Sequence, residues 1–207
     1  MNRIRKLALG AATLALLAGG ASTARAESTT NWQLASGTTH LTTTGVASFN
    51  FTTQDKTRLL FNGKDGSLLG DRRSKTMTAT FAVADVHGAF TYGGEPLCGG
   101  TTGNVRLYFE SIPPGAKFAY TNYWWSDTAS AVLANGTVTV SAVVDPTSAQ
   151  WGDWDGKSSS AKPDEFNTAA SNITAVGLSF GGGCFFENGV GTTDGSGTFT
   201  LNSFSVS

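Results

Sequence analysis

Cysteine and histidine are both scarce: the 207-residue chain contains two of each. His40 and His87 stand far apart, and neither has a close-spaced Cys or His partner, so a zinc-type site has no local signature. The G-x-S-x-G elbow of a hydrolase nucleophile is missing. A Ser/His/Asp set would have to be assembled from distant parts of the chain, and His87-Gly88 reads as a surface turn. Asp153-Trp154-Asp155-Gly156 resembles the opening of a calcium loop, but the later acidic ligand is absent. No strand carries Glu-x-Asp-x-x-Glu, the spacing that would set carboxyls side by side for glycoside hydrolysis. Gly181-Gly182-Gly183 is followed by Cys184-Phe185-Phe186 rather than by a helix start, which argues against a phosphate cradle and for a sharp bend.

Long apolar runs are missing as well. The only candidate, residues 7–18, falls short of the ~20 residues a membrane-crossing helix needs. It follows Arg3, Arg5 and Lys6 and precedes Ala24-Arg25-Ala26, the layout of a secretory signal peptide cleaved after Ala26. Residues 1–26 are therefore expected to be a leader and residues 27–207 a single exported domain, extracellular or periplasmic. The leader holds 4 of the 14 Lys+Arg and none of the 15 Asp+Glu, so the mature chain carries 10 basic against 15 acidic residues, a net charge of −5. That balance disfavours nucleic acid and anionic lipid as partners. No membrane insertion is expected, and the chain reads as a monomer.

What the sequence has in quantity is glycine, threonine, serine and period-2 alternation. Met77, Ala79, Phe81 and Val83 alternate with threonines. Val105, Leu107 and Phe109 alternate with Arg106, Tyr108 and Glu110. Val138, Val140, Ala142 and Val144 form a third set, and Val176, Leu178 and Phe180 a fourth. The last strand slips parity near Asn202 and Ser203, which predicts a β-bulge. Residues 105–110 and 117–125 read as antiparallel neighbours, and the Thr-rich entry, residues 28–57, as edge strands. Only residues 164–171 suggest a helical turn. Turn signals such as Asn62-Gly63 and Asn135-Gly136 separate the runs. The pattern predicts an all-β fold, a single antiparallel β-sandwich with one disulfide, which the resemblance given below makes jelly-roll-like. Cys98 and Cys184 are the pair an oxidising compartment would join, closing a loop of about 87 residues worth roughly 4 kcal/mol. Two buried thiols are the alternative.

The aromatic residues carry the functional signal. Four of the five tryptophans fall in residues 124–154. Adjacent Trp124 and Trp125 cannot both face the core of a regular strand, so one of them is expected outside as a stacking platform. Arg106, Tyr108 and Glu110 share the face opposite Val105, Leu107 and Phe109 and form a polar-aromatic strip, the surface of a ligand groove. The alternative is a second, covered face. Trp151 and Trp154 read as structural rings, and Glu187 could reach into a cleft beside Cys184.

Leu68-Leu69-Gly70-Asp71, the strand from Thr76 and Asn104-Val105-Arg106-Leu107-Tyr108-Phe109 resemble the running order of jelly-roll sandwiches, the laminin-IV-like and carbohydrate-binding-module-like domains of the galactose-binding-like type. Tyr123-Trp124-Trp125-Ser126, Trp151-Gly152-Asp153-Trp154 and Leu178-Ser179-Phe180 are similar to secreted bacterial proteins of unassigned function. The resemblance spans residues 62–207 and implies a fold rather than an activity. It joins the residue reading in one expectation: a secreted, non-enzymatic module binding an extracellular or envelope polysaccharide through Arg106, Tyr108, Glu110, Trp124 or Trp125, and Glu187. Two other readings stay open. One is a structural or adhesive surface protein. The other is a small polysaccharide hydrolase or lyase using Glu110 with Glu187 or Asp153. No cofactor is expected, and a structural calcium near Asp65, Asp71 or Asp194 is conceivable with no firm ligand set.

Overall fold

The computed structural model describes residues 31–36, 41–44, 47–53, 57–92, 103–113, 115–117, 119–148, 150–182 and 189–207. Cys98, Cys184 and Glu187 lie outside the described residues, and no disulfide occurs among those described.

The alternating runs form strands. Thirteen are described: β1 Trp32–Ser36, β2 Leu41–Thr44, β3 Ser48–Asn50, β4 Thr57–Asn62, β5 Thr76–Ala84, β6 Phe90–Tyr92, β7 Asn104–Glu110, β8 Tyr123–Val132, β9 Gly136–Val143, β10 Trp151–Asp153, β11 Ala175–Gly181, β12 Val190–Thr192 and β13 Thr198–Val206. The larger sheet has the order β10-β8-β7-β11-β4-β1-β2, with β12 and β6 joined to the end of β4. The smaller has the order β3-β13-β5-β9. Every pairing is antiparallel, including β7 with β8, as expected from the sequence. In the Thr-rich entry, β2 and β3 are edges, but β1 lies between β4 and β2, and its Trp32 is fully buried.

The threonine alternation of β5 is the cleanest case of sequence dictating structure. Met77, Ala79, Phe81 and Val83 are buried, while Thr78 and Thr80 face outward and pair with Ser141 and Thr139 of β9 through hydroxyl hydrogen bonds of 2.8 Å each. The expected bulge in β13 falls between Leu201 and Ser203, and it brings Phe204 back to the buried side.

One hydrophobic core draws on both sheets. Phe180 of β11 meets Phe49 of β3 edge-on at 5.6 Å and Phe199 of β13 at 5.2 Å, so rings of the larger sheet lock into rings of the smaller. Trp32 meets Phe204 in the same way at 5.2 Å. Beside these lies a second group, where helix α1, Pro163–Ala170, docks through Phe166 onto Trp124 at 4.9 Å and Phe109 at 5.7 Å. Pro163 opens α1, and Asp164 and Glu165 in its first turn complement the dipole. Phe166 is fully buried, worth about 1.5–3 kcal/mol of transfer free energy. Among the described residues no helix is long and apolar enough to cross a membrane.

β11 differs from the alternation expected of it: all seven residues are buried. The strand lies inside the larger sheet, and its second face carries only Ala175, Gly177, Ser179 and Gly181. At Gly177 a Cβ would stand 2.1 Å from the Leu60 carbonyl oxygen and 2.7 Å from Phe61 Cα, so backbone leaves no room for a side chain. Gly177→Ala should therefore cost about 1–3 kcal/mol in overpacking, a fall of roughly 2–12 °C in Tm by thermal circular dichroism. An unchanged Tm would contradict this approach of β11 to β4.

Candidate functional site

Residues paired across neighbouring strands share a face. Glu110 is opposite Tyr123, Tyr108 opposite Trp125, and Arg106 opposite Ser130. On the other flank Arg106 is opposite Ser179 and Tyr108 opposite Gly177. The second face of the larger sheet therefore presents Arg106, Tyr108 and Glu110 of β7 beside Tyr123 and Trp125 of β8. The expected strip of residues is assembled.

Its exposure differs from expectation. Arg106 and Tyr108 are each 2% exposed and Trp125 3%. This is the covered-face alternative, and the cause lies in the side chains that flank the strip. Trp125 lies against Tyr108 at 5.4 Å, and Trp154 and Tyr123 lie against Trp125 at 5.5 and 6.3 Å. Trp124 points the opposite way, is fully buried in the core, and donates its indole N–H to the Thr121 carbonyl at 2.8 Å. Neither Trp124 nor Trp125 is thus an outer platform. Trp151 is structural as expected, fully buried with its indole N–H on the Val143 carbonyl at 2.7 Å.

The rings that reach solvent are others. Tyr120 is 52% exposed, and Tyr123 and Trp154 are half-buried. Tyr123 and Trp154 touch at 5.3 Å, and the Trp154 amide approaches the Tyr120 carbonyl at 3.4 Å. The sequence reading missed both tyrosines and treated Trp154 as structural. Tyr123-x-Trp125-x-Asp127 has the right spacing to reveal one face of β8, had the strand been started at Tyr123.

Asp127 joins the site through a bulge. The β7–β8 register passes from Tyr108↔Trp125 directly to Arg106↔Ser130, so residues 126–129 stand opposite Leu107 alone. Ser126 closes the bulge: its hydroxyl accepts the Leu107 N–H at 3.0 Å and donates to the Ala129 carbonyl at 2.8 Å. The outward carboxylate of Asp127 then meets Arg106 at 3.3 Å. Gly152 of β10 makes room for it, because a Cβ there would stand 2.7 Å from Asp127 Oδ2.

Asp153 is built in rather than available. It is fully buried and accepts the backbone N–H groups of Asp155 and Lys157 at 3.0 and 2.8 Å, and Lys162 Nζ at 2.7 Å. The hydrogen bond to Asp153 raises the Lys162 pKa. These bonds fix the turn that carries Trp154.

Burial sets the electrostatics of the strip. It pushes the Glu110 carboxyl up, partly offset by the Tyr108 hydroxyl, which donates to Glu110 Oε2. Tyr108 is held well above the ordinary phenol range, first by burial and then by the Glu110 charge. Tyr123 is raised by the same two causes. Burial also raises Asp127, with Arg106 pulling down and Asp153 pushing up. Three buried polar atoms on this face, Asn104 Oδ1, Trp125 Nε1 and Ser179 Oγ, lack a hydrogen-bond partner. Such atoms cost about 1–3 kcal/mol each when left unsatisfied and mark places where a ligand can contribute bonds.

Clefts among the described residues lie elsewhere. One of about 400 Å³ runs under α1 between Ser111, Asn122, Glu165 and Asn172, and an open one of about 530 Å³ sits at Asp71, Arg73, Lys75 and Asn167. Neither is lined by an aromatic ring or by one of those unsatisfied atoms, so the β7–β8 face remains the stronger candidate. No group of three or more His, Cys, Asp or Glu is placed to hold a metal among the described residues. Asp65, Asp71 and Asp194 are each engaged locally, by Ser67, Arg73 and Ser196.

The raised Glu110 pKa gives a stability effect of defined sign. Below 4.5, its ordinary value, folded and unfolded chains both hold the proton. As pH rises further the unfolded chain releases it first, and stability falls until Glu110 ionises in the folded protein. Glu110→Gln keeps an acceptor for Tyr108 and removes this fall. The stability difference between variant and wild type, from urea titrations, should therefore shift in favour of the variant as pH rises from about 4 to 7. A pH-independent difference would contradict the buried carboxyl.

No family model matches this chain, and neither a curated protein nor a solved structure does.

Proposed function

We propose that the chain is a secreted, non-enzymatic β-sandwich module of jelly-roll type whose β7–β8 face binds an extracellular or cell-envelope polysaccharide. The observation that carries this reading is one grouping. Tyr120, Tyr123 and Trp154 stand partly exposed beside Glu110 and Asp127, above buried polar atoms that lack partners. Flat rings stack on the apolar faces of sugars, and carboxylates accept hydrogen bonds from their hydroxyls. The leader-like residues 1–26 support export, and the mature charge of −5 supports a partner other than nucleic acid.

The catalytic reading draws less support. Asp153 is occupied by three donors, and Glu187 lies outside the described residues. A second reading, an adhesive surface protein, is favoured by the burial of Trp32, Trp124, Trp125 and Trp151, which leaves Trp154 as the one tryptophan in partial contact with solvent.

Affinity electrophoresis against a panel of polysaccharides separates these readings. Trp154→Ala and Tyr123→Ala should each weaken retention about ten-fold, the equivalent of ~1.4 kcal/mol, with near-ultraviolet circular dichroism showing a folded protein. Retention equal to wild type in both variants removes this face from the site, and failure of the wild type to be retained by any polysaccharide favours adhesion to protein.

A further inference from the structure

We infer that the ligand of the β7–β8 face carries a protonated amine, which makes an amine-bearing polysaccharide, rather than a neutral or uronate-rich one, the class it prefers. This inference rests on the glycan-binding reading above. It starts from Glu110, whose carboxyl has, among the described residues, one hydrogen-bond partner, the Tyr108 hydroxyl, and no cation paired with it. The neighbouring cations are committed elsewhere: Arg106 to Asp127 at 3.3 Å and Lys162 to Asp153 at 2.7 Å. Lys117, on the connection between β7 and β8, is exposed and makes no ion pair with Glu110. A carboxylate drawn out of water without a counter-charge is costly, and a ligand cation removes that cost.

The surroundings favour the same charge. Tyr123 stands opposite Glu110 across the strand pair, and Tyr123, Trp125 and Trp154 form a continuous ring cluster with centroids 5.3–6.3 Å apart. The face of an aromatic ring attracts cations. Trp125 brings an independent sign of a missing ligand: it is 97% buried by its 3% exposure, and its indole N–H has no acceptor. Exposed Asp155 on the Trp154 turn adds negative charge at the rim, where Asp127 is already paired with Arg106. A uronate would meet repulsion there. A neutral sugar would stack on the rings yet leave Glu110 uncompensated. An amino sugar does both, with its apolar face on the rings and its ammonium on the carboxylate.

A glucosamine hexamer and its fully N-acetylated counterpart differ only at the amine. Titration calorimetry with each, across mildly acidic to neutral pH so that both the ligand amine and Glu110 are charged in part of the range, tests the inference directly. The wild-type protein should bind the amine form about ten-fold more tightly. Glu110→Gln should bring the two affinities within about three-fold, whereas Glu165→Gln, a change of equal charge on the exposed start of α1, should leave the preference intact. Equal loss of preference in both variants, or none in either, means bulk attraction to an acidic protein and overturns the inference. If Trp154→Ala abolishes binding of the N-acetylated hexamer while the wild type shows no amine preference, the glycan-binding face stands and this inference falls. If neither hexamer nor any other polysaccharide binds the wild type, both fall.

Discussion

The carboxylate of Asp153 holds three parts of the chain in one arrangement. It closes the turn after β10 through two backbone N–H groups and anchors Lys162, the residue that precedes α1. With the anion fully buried and the ammonium partly so, loss of one partner would strand a charge, an event that costs about 3–5 kcal/mol in buried pairs. Two packing features at this end of the larger sheet follow from that carboxylate. Phe166 reaches Trp124 and Phe109 because α1 starts where it does, and Trp154 covers Trp125 because the turn is closed.

β7 then serves two different interiors. Val105, Leu107 and Phe109 enter the core shared by both sheets, while Arg106 and Tyr108 enter a thinner polar-aromatic layer on the opposite side. Such a layer is demanding. Its polar atoms need partners as the core's do not, and those partners come piecemeal: Asp127 for Arg106, Glu110 for Tyr108, none for Ser179. The imbalance between polar groups brought in and partners supplied distinguishes this layer from the well-satisfied threonine ladder between β5 and β9.

Much of the fold was legible because the signal was local. The threonine alternation marked β5, the parity slip at Asn202 marked the β13 bulge, and the single helical turn lay where α1 forms. The composition of the candidate face was legible too, since Arg106, Tyr108 and Glu110 share a parity. Its accessibility was not. Alternation reports which side a residue faces, but whether that side is covered depends on Trp154 and Tyr123, placed by a turn and a strand start that no periodicity announces. The Trp124/Trp125 pair shows the same limit: facing opposite ways was predictable, yet both sides turned out to be filled.

The β8 bulge carries a lesson in parity. Four residues stand where one would match Leu107, an excess of three, and an odd excess exchanges the two sides of every residue beyond it. Ser130 thus joins Trp125 on one face although their numbers differ by five, and Ala129 and Ala131 pack against the core. Deleting one residue from this segment would turn those alanines outward and drive Ser130 inward, whereas deleting two would preserve the pattern. The lengths of the segment carrying Asp127 that keep this pattern of faces therefore differ in steps of two.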